Sequence, residues 1–202
     1  MKKIHYTDSY LLKPYHPVTI HVAGAGGTGS QVITNLARMN VALQALGHPG
    51  LHVTVFDPDI ITCTDNTRSR LELWRFLKKY REASVNNERA VYYWMDFGNA
   101  QTTGQVFIGT VRNKIRQPAS KEFMPVPGMN VITEEVNYST IEEKDSGPSC
   151  SLAEALERQD LYINSILAQV GCDILWKMFK EGRTLYRGAY ILSLIHISEP
   201  TR

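Results

Sequence analysis

A cluster of glycines lies near the start of the chain, in the segment Gly24-Ala25-Gly26-Gly27-Thr28-Gly29-Ser30. A glycine loop between a buried strand and a helix exposes backbone N–H groups at the positive end of the helix, where phosphate groups bind. Glycine is required there because a Cβ atom would block the approach of the ligand. We therefore predict a nucleotide-binding loop, with a tight turn that only packs a helix on a strand as the alternative. The candidate binding residues are Gly24, Ala25, Gly26, Gly27 and Gly29.

The spacing of these glycines does not by itself distinguish ATP from a dinucleotide. Gly24-x-Gly26-x-x-Gly29 is equally the fingerprint of NAD-binding proteins, in which an acidic residue after the second strand binds the ribose. Asp57 is the candidate ribose ligand because its carboxylate can accept hydrogen bonds from both hydroxyl groups. Asp59 is a second candidate, and capping of the following turn is its alternative role.

A second polar group, Asp65 followed by Asn66, stands between an apolar run and a helical pattern. A carboxylate at the end of a strand can hold Mg²⁺ beside phosphates, since this hard cation prefers oxygen ligands. Either residue could instead be the N-cap of the helix that follows. We therefore predict Asp65 as a magnesium ligand and catalytic residue, and Asn66 as a neighbouring nucleotide ligand.

The elements that must position these residues form a strand, loop, helix and strand. Val18–Ala23 has the apolar pattern of a short buried strand, and the residues after Thr28 carry apolar side chains at steps of three and four. Leu51–Phe56 is predicted as the second strand. The helical stripe comprises Val32, Leu36, Met39, Leu43 and Leu46. This βαβ unit predicts an α/β class: a Rossmann-like, doubly wound, mostly parallel sheet with helices on both faces.

The segment after the second strand conflicts with this topology. Ile60–Thr64 resembles a further buried strand, but residues 57–59 are too few for the crossover that two neighbouring parallel strands need. Either residues 51–64 form one bent strand, or a piece of chain is missing near Ile60. A helix is predicted from Asn66 to Arg81, and its apolar face comprises Leu73, Leu77 and Tyr80.

Further elements are predicted towards the C-terminus. Residues 90–97 and 104–109 are expected to be strands that extend the sheet. Residues 110–149 lack a sustained period, which predicts a long loop or crossover with a short strand at 131–136. Residues 151–181 are expected to be helical, in one or two pieces. The apolar stripe of this helix comprises Ile163, Ile166, Leu167, Val170, Ile174 and Met178.

Composition is that of one α/β domain. The chain has 202 residues, 43% of them hydrophobic, with 22 basic and 20 acidic residues well mixed, so no charged field favours nucleic acid or an anionic membrane. We expect a cytoplasmic protein, because neither a long apolar run nor a secretory signal is present.

Residues 1–191 are taken as the domain. Residues 192–202 look like translated sequencing adapter and are excluded as a non-native tail, with a last strand as the alternative.

The three cysteines are widely separated and are expected to be reduced. Cys63 and Cys172 lie in apolar patterns, where cysteine packs as a small hydrophobe. Cys150 follows the flexible segment and precedes a predicted helix, whose end could favour the thiolate, so it is a candidate catalytic nucleophile. A structural role for Cys150 is the alternative, since no histidine flanks it.

Taken together, these motifs resemble the ThiF/MoeB/HesA family of ubiquitin-activating-like enzymes, most closely the ThiF-type proteins of the bacterial PRTRC system. The similarity covers residues 2–191. It rests on the glycine loop, Asp57-Pro58-Asp59, the Cys63-Thr64-Asp65-Asn66 turn with Arg70, and Gly104-Gln105-Val106. The resemblance implies ATP, Mg²⁺ and adenylation of the C-terminal carboxylate of a ubiquitin-like β-grasp protein. It also implies a homodimer.

One part of the family pattern is missing. Between the strand-end acid and the later Asp-Asn turn, the family normally has an Asn, then Arg-Gln, then a Lys, which steady the triphosphate. The chain has none of them between Asp57 and Asp65. This gap falls where the crossover is too short, which favours an internal deletion and predicts impaired chemistry. The alternatives are a noncatalytic nucleotide-binding or partner-docking subunit and an NAD-dependent oxidoreductase.

Overall fold

The βαβ unit that carries the glycine loop forms as predicted. A computed structural model describes residues 1–56, 66–79, 90–99, 103–112, 114–140 and 162–192. Strands β1 (Lys2–Tyr6) and β2 (Val18–Ala23) are separated by a short helix α1 (Ser9–Leu12). Helix α2 (Gly27–Ala45) then leads to strand β3 (Leu51–Phe56). Strands β2 and β3 are parallel and pair over their whole length, so the predicted order of strand, helix and strand is confirmed.

Helix α2 packs on this pair through the predicted stripe, with one exception. Its residues Val32, Leu36, Met39 and Leu43 are buried, whereas Leu46 is 65% exposed. The expectation for Leu46 is wrong because the helix ends at Ala45 and the chain turns at Gly47, which has φ +82°. This positive φ releases the chain from helical geometry, as is usual just beyond a helix C-terminus.

The predicted strand pair near the middle of the chain is present as an antiparallel hairpin, β4 (Tyr93–Asn99) and β5 (Thr103–Thr110). Strand β5 also pairs with β8 (Gly188–Leu192), again antiparallel. Among the described residues, this three-stranded sheet has no hydrogen-bonded ladder to β2 and β3. The α/β class is confirmed, while the expected extension of a mostly parallel sheet is not seen in these ladders.

A third small sheet joins the ends of the chain. Strand β1 pairs in parallel with β6 (Phe123–Pro125) and antiparallel with β7 (Arg183–Thr184). Within the predicted loop of residues 110–149, the described residues up to 140 are largely irregular, as predicted. The expected strand at 131–136 is wrong, because these residues form the short helix α4 (Ile132–Glu135). The Val131 N–H donates to the Glu134 carboxylate at 3.2 Å, which caps the first turn.

Two further helices complete the core. Helix α3 (Asn66–Lys78) buries Trp74 and Leu77, whereas Leu73 is 37% exposed. The predicted apolar face was therefore rotated: Trp74 and Leu77 pack with Val111 of the segment after β5, and Leu73 points away. Tyr80, the third residue of that face, lies outside the described residues.

Helix α5 (Ile163–Lys180) is buried on two sides and lies between α2 and the antiparallel sheet. Leu167 and Met178 of the predicted stripe are fully buried, but Ile166 is 40% exposed. A second buried side packs on α2 and includes Cys172, as expected for a core cysteine. Burial raises the pKa of the Cys172 thiol to about 11, so it stays protonated and inert at neutral pH. In the part of the chain that the structure describes, helices long and apolar enough to span a membrane are absent.

A buried histidine links three of these elements. His5 is 2% exposed, and its Nδ1 lies 2.6 Å from the Val126 carbonyl oxygen, which can only accept. Nδ1 therefore carries the proton, and Nε2 accepts from the Tyr93 hydroxyl at 3.0 Å. The Asp8 backbone N–H donates to that same hydroxyl oxygen at 3.1 Å. This chain of hydrogen bonds specifies the neutral imidazole. Burial lowers the pKa of His5, while the Val126 carbonyl and the Asp8 carboxylate oppose that shift.

We expect the fold to lose stability in mild acid because of His5. Its pKa in the folded state lies below the reference value of 6.5, so the folded chain binds fewer protons than the unfolded chain. The contribution of neutral His5 is complete above about pH 6.5 and is lost as the pH falls towards the folded-state pKa. Urea unfolding across this range should show that the free energy of unfolding depends less on pH in His5→Gln than in the parent. The exposed His16→Gln serves as the control, and an unchanged slope in His5→Gln would contradict the assignment.

Candidate functional site

The glycine loop lies between the end of β2 and the start of α2. The Gly24 N–H donates to the Phe56 carbonyl at 2.7 Å, which extends the pairing of β2 with β3 by one residue. Gly24 has φ +92°, a conformation that L side chains rarely adopt, and the chain turns away from the sheet there. The loop therefore starts at the C-terminal edge of the parallel pair, the edge where α/β proteins bind ligands.

The glycines of the loop differ in what a Cβ atom at each position would meet. A Cβ on Gly29 would collide with the carbonyl oxygen of Gly24, so Gly29 permits the tight turn. A Cβ on Gly27 would lie 2.6 Å from the Asn164 side-chain nitrogen. A Cβ on Gly26, in contrast, would meet no atom of the described residues within 4 Å. Packing therefore explains why positions 27 and 29 are glycine. The Cβ direction of Gly26 instead faces open space that a ligand can enter.

The helix that follows has the character of an anion site. Helix α2 has 19 residues, its N-cap is Gly26, and no side chain caps it. Its first turn contains no acidic residue. The amide groups at its start therefore carry the partial positive charge of the helix, and no acidic side chain of that turn offsets it. Gly26 and Gly27 are both exposed, so this charge is accessible to a ligand.

An amide cluster that the sequence did not predict lies against the loop. The Asn164 side-chain oxygen accepts a hydrogen bond from the Thr28 hydroxyl at 2.7 Å and another from the Asn99 amide at 2.6 Å. These residues lie 65 or more positions from Asn164 in the chain, so spacing gave no indication of the contact. The one available signal was a polar Asn164 beside apolar Ile163 at the start of a predicted core helix.

The side chains of the other predicted site residues lie outside the described part of the structure. Asp57, Asp59, Asp65 and Cys150 lie outside the described residues. Asn66 is the first residue of α3, but its side chain is not described. Their roles in ribose binding, magnesium binding and catalysis therefore stay predictions. Gly24, Ala25, Gly26, Gly27 and Gly29 do lie together in the loop at the start of α2.

Arg70, which belongs to the family pattern, anchors α3 to the antiparallel sheet. Its guanidinium donates to the Asp96 carboxylate at 2.8 Å and to the Phe97 carbonyl at 2.9 Å. It also lies 5.6 Å from the centre of the Tyr138 ring. The Arg70 and Asp96 side chains are only 19% and 10% exposed. Among the described residues, the buried Asp96 Oδ2 atom has no hydrogen-bond partner, and Arg70 is the cation paired with this carboxylate.

We expect Arg70→Leu to destabilise the fold by about 2 kcal/mol, because Asp96 would stay buried without its cation. The double variant Arg70→Leu/Asp96→Asn should regain much of the loss, since the buried charge is then removed as well. Urea unfolding of the parent, the two single variants and the double variant measures this coupling. Additive effects of the two substitutions would show that the ion pair is not a unit.

Two grooves of the described structure lie away from the loop. They have volumes of about 410 and 390 Å³, share Ile4, Thr184 and Tyr186 and border the sheet of β1 and β7. The described ranges contain no group of three or more His, Cys, Asp or Glu side chains close enough to hold a metal ion. The loop is identified by its backbone conformation and by its place at the N-terminus of α2.

Comparisons with known proteins do not extend this description. No protein-family model, no curated protein and no solved structure matches the chain.

Proposed function

We propose that the glycine loop binds the phosphate groups of ATP. The observation that carries this proposal is the combination of an exposed helix N-terminus and a glycine, Gly26, whose Cβ direction is open. A triphosphate can approach the backbone N–H groups of Gly26 and Gly27 closely, because both glycines are exposed and neither carries a side chain of its own. The absence of acidic side chains from the first turn of α2 favours the same anionic ligand.

We further propose that the described sheets belong to a Rossmann-like, doubly wound domain. The parallel pair of β2 and β3, joined through α2, is the unit from which such domains are built. In that arrangement, the ligand lies outside the carboxyl ends of the strands. Asp57 follows Phe56 directly in the sequence, and Phe56 is the last residue of β3, so Asp57 is the proposed ribose ligand.

The proposed activity is that of a ubiquitin-activating-like adenylyltransferase. Bound ATP supplies an activated phosphorus and pyrophosphate as the leaving group. The loop glycines hold the phosphates, Asp65 holds Mg²⁺, and the acceptor is the C-terminal carboxylate of a ubiquitin-like β-grasp protein. Cys150 is the candidate for a later covalent step. These roles are supported by the resemblance of the motifs, as is the homodimer. The cytoplasmic location is proposed because the sequence contains no long apolar run.

A noncatalytic subunit that binds a nucleotide or docks a partner is the second candidate. It is favoured by one specific observation: the Arg-Gln and Lys residues expected between the strand-end acid and the Asp-Asn turn are missing between Asp57 and Asp65. An NAD-dependent oxidoreductase is the third candidate, because the spacing from Gly24 to Gly29 also fits a dinucleotide.

Calorimetric titration of the full chain with ATP, with and without Mg²⁺, and in parallel with NAD tests the proposed ligand. We expect saturable binding of ATP and much weaker binding of NAD. Preferential binding of NAD would replace the proposal with the oxidoreductase. Absence of binding to either nucleotide would refute the nucleotide site itself.

A further inference from the structure

The side chain of Asn164 connects three elements through one atom. Its Oδ1 accepts from Thr28 in the first turn of α2 and from Asn99 at the end of β4, at 2.7 and 2.6 Å. Asn164 itself lies in the first turn of α5. A carbonyl oxygen has two lone pairs, and both are used here. The position of the start of α2 is therefore tied to the antiparallel sheet and to α5 through this amide.

The nitrogen of the same side chain determines the residue type at position 27. It lies only 2.6 Å from the ideal position of a Cβ on Gly27, which is too close for a carbon atom. Glycine at this position is thus explained by Asn164 rather than by a ligand. In addition, the Thr28 hydroxyl donates its hydrogen bond to Asn164, so it cannot donate the same hydrogen to a phosphate. The loop is left with backbone N–H groups as its donors to an anion.

We infer that Asn164 is a positioning residue for the glycine loop, an inference that rests on the proposed binding of ATP. By fixing Thr28 and packing on Gly27, it holds the first turn of α2 in the geometry that presents the amide groups to a phosphate. A pre-positioned donor set loses less entropy on binding. The uncharged amide also matters, because a carboxylate at this place would repel the phosphate at short range.

Asn164→Asp tests whether the uncharged amide lies beside the bound phosphate, because this substitution adds a negative charge but keeps the acceptor that positions the loop. The carboxylate keeps an acceptor for Thr28 and Asn99, and its negative charge is favourable at the N-terminus of α2, so stability in urea should be unchanged or higher. Affinity for ATP should nevertheless fall by about tenfold or more, since like charges meet beside the loop. Gln44→Glu adds the same charge at the exposed, opposite end of α2 and should leave the affinity unchanged.

Unaltered ATP affinity in Asn164→Asp would overturn the inference, as would an equal loss in Gln44→Glu. A double-mutant cycle then tests the packing without any nucleotide. Gly27→Ala should destabilise the parent, because the new methyl group collides with the Asn164 nitrogen, and should be tolerated in Asn164→Ala. Additive effects would contradict the contact.

The two tests fail separately. If the parent chain binds no ATP, the proposed function is refuted, and the cycle of Gly27 and Asn164 still decides whether Asn164 shapes the loop. If ATP binds and the cycle is additive, the nucleotide site stands and Asn164 is not its positioning residue.

Discussion

Replacing Gly26 with serine is expected to weaken ATP binding by about a hundredfold or more while the fold remains as stable as that of the parent. The Cβ of residue 26 would project into open space at the loop, where the proposed phosphate lies. A phosphate held away from the loop loses charge-assisted hydrogen bonds worth about 1.5–3 kcal/mol each. Loss of two such bonds weakens binding by about a hundredfold or more.

Stability should not suffer in Gly26→Ser, because serine suits the conformation and the position. Gly26 has φ −64°, which any residue can adopt, and it is the N-cap of α2. Serine is among the best N-cap residues, since its hydroxyl can accept from the amide groups of the first turn. The control Ala45→Ser adds the same hydroxyl at the opposite, exposed end of α2.

Calorimetry with ATP and urea unfolding together decide the outcome for Gly26→Ser. Full ATP affinity in this variant would show that the open side of the loop is not where the nucleotide binds. A large loss of stability would instead place Gly26 among the packing glycines. Gly29→Ala provides the comparison, because its methyl group would collide with the Gly24 carbonyl and should destabilise the fold directly.

The βαβ unit could be predicted because its signals are local. The apolar run of β2, the helical stripe of α2 and the glycines between them lie within one continuous segment, residues 18–56. Periodicity in such a segment reports which face is buried. The antiparallel pair of β4 and β5 could be predicted for the same reason, since its two strands are neighbours in the chain.

Contacts between distant segments were not predictable from spacing. Pairing of β5 with β8 joins Thr103 to Leu192, and the hydrogen bond from Thr28 to Asn164 spans 136 positions. On the face of α3, the prediction for Leu77 is confirmed and that for Leu73 is wrong, because Trp74 is buried instead against Val111 and Val131, which the helix sequence does not contain. Likewise, residues 131–136 are β-branched enough to suggest a strand, but the Glu134 carboxylate caps a helical turn instead.

The proposed adenylation would depend on cationic residues that are missing between Asp57 and Asp65. In the family that the motifs resemble, an Arg and a Lys between the strand-end acid and the Asp-Asn turn neutralise phosphate charge in the transition state. Between Asp57 and Asp65 the chain has neither residue. Electrostatic stabilisers of this kind act mainly on the transition state, so their loss lowers turnover more than it lowers nucleotide binding.

We therefore expect the chain to bind ATP but to catalyse ATP–pyrophosphate exchange at a rate reduced by about a hundredfold or more, the usual cost of one lost stabiliser. An exchange assay with radiolabelled pyrophosphate measures this rate directly. A β-grasp protein supplies the C-terminal carboxylate that accepts the adenylyl group. A family member with the complete Arg-Gln and Lys segment, assayed in parallel, gives the reference rate. Inserting that segment after Asp59 should raise exchange if the gap is the cause. Exchange at the reference rate in the unaltered chain would refute the expectation, because it would require that other cations, such as Arg68, replace the missing pair.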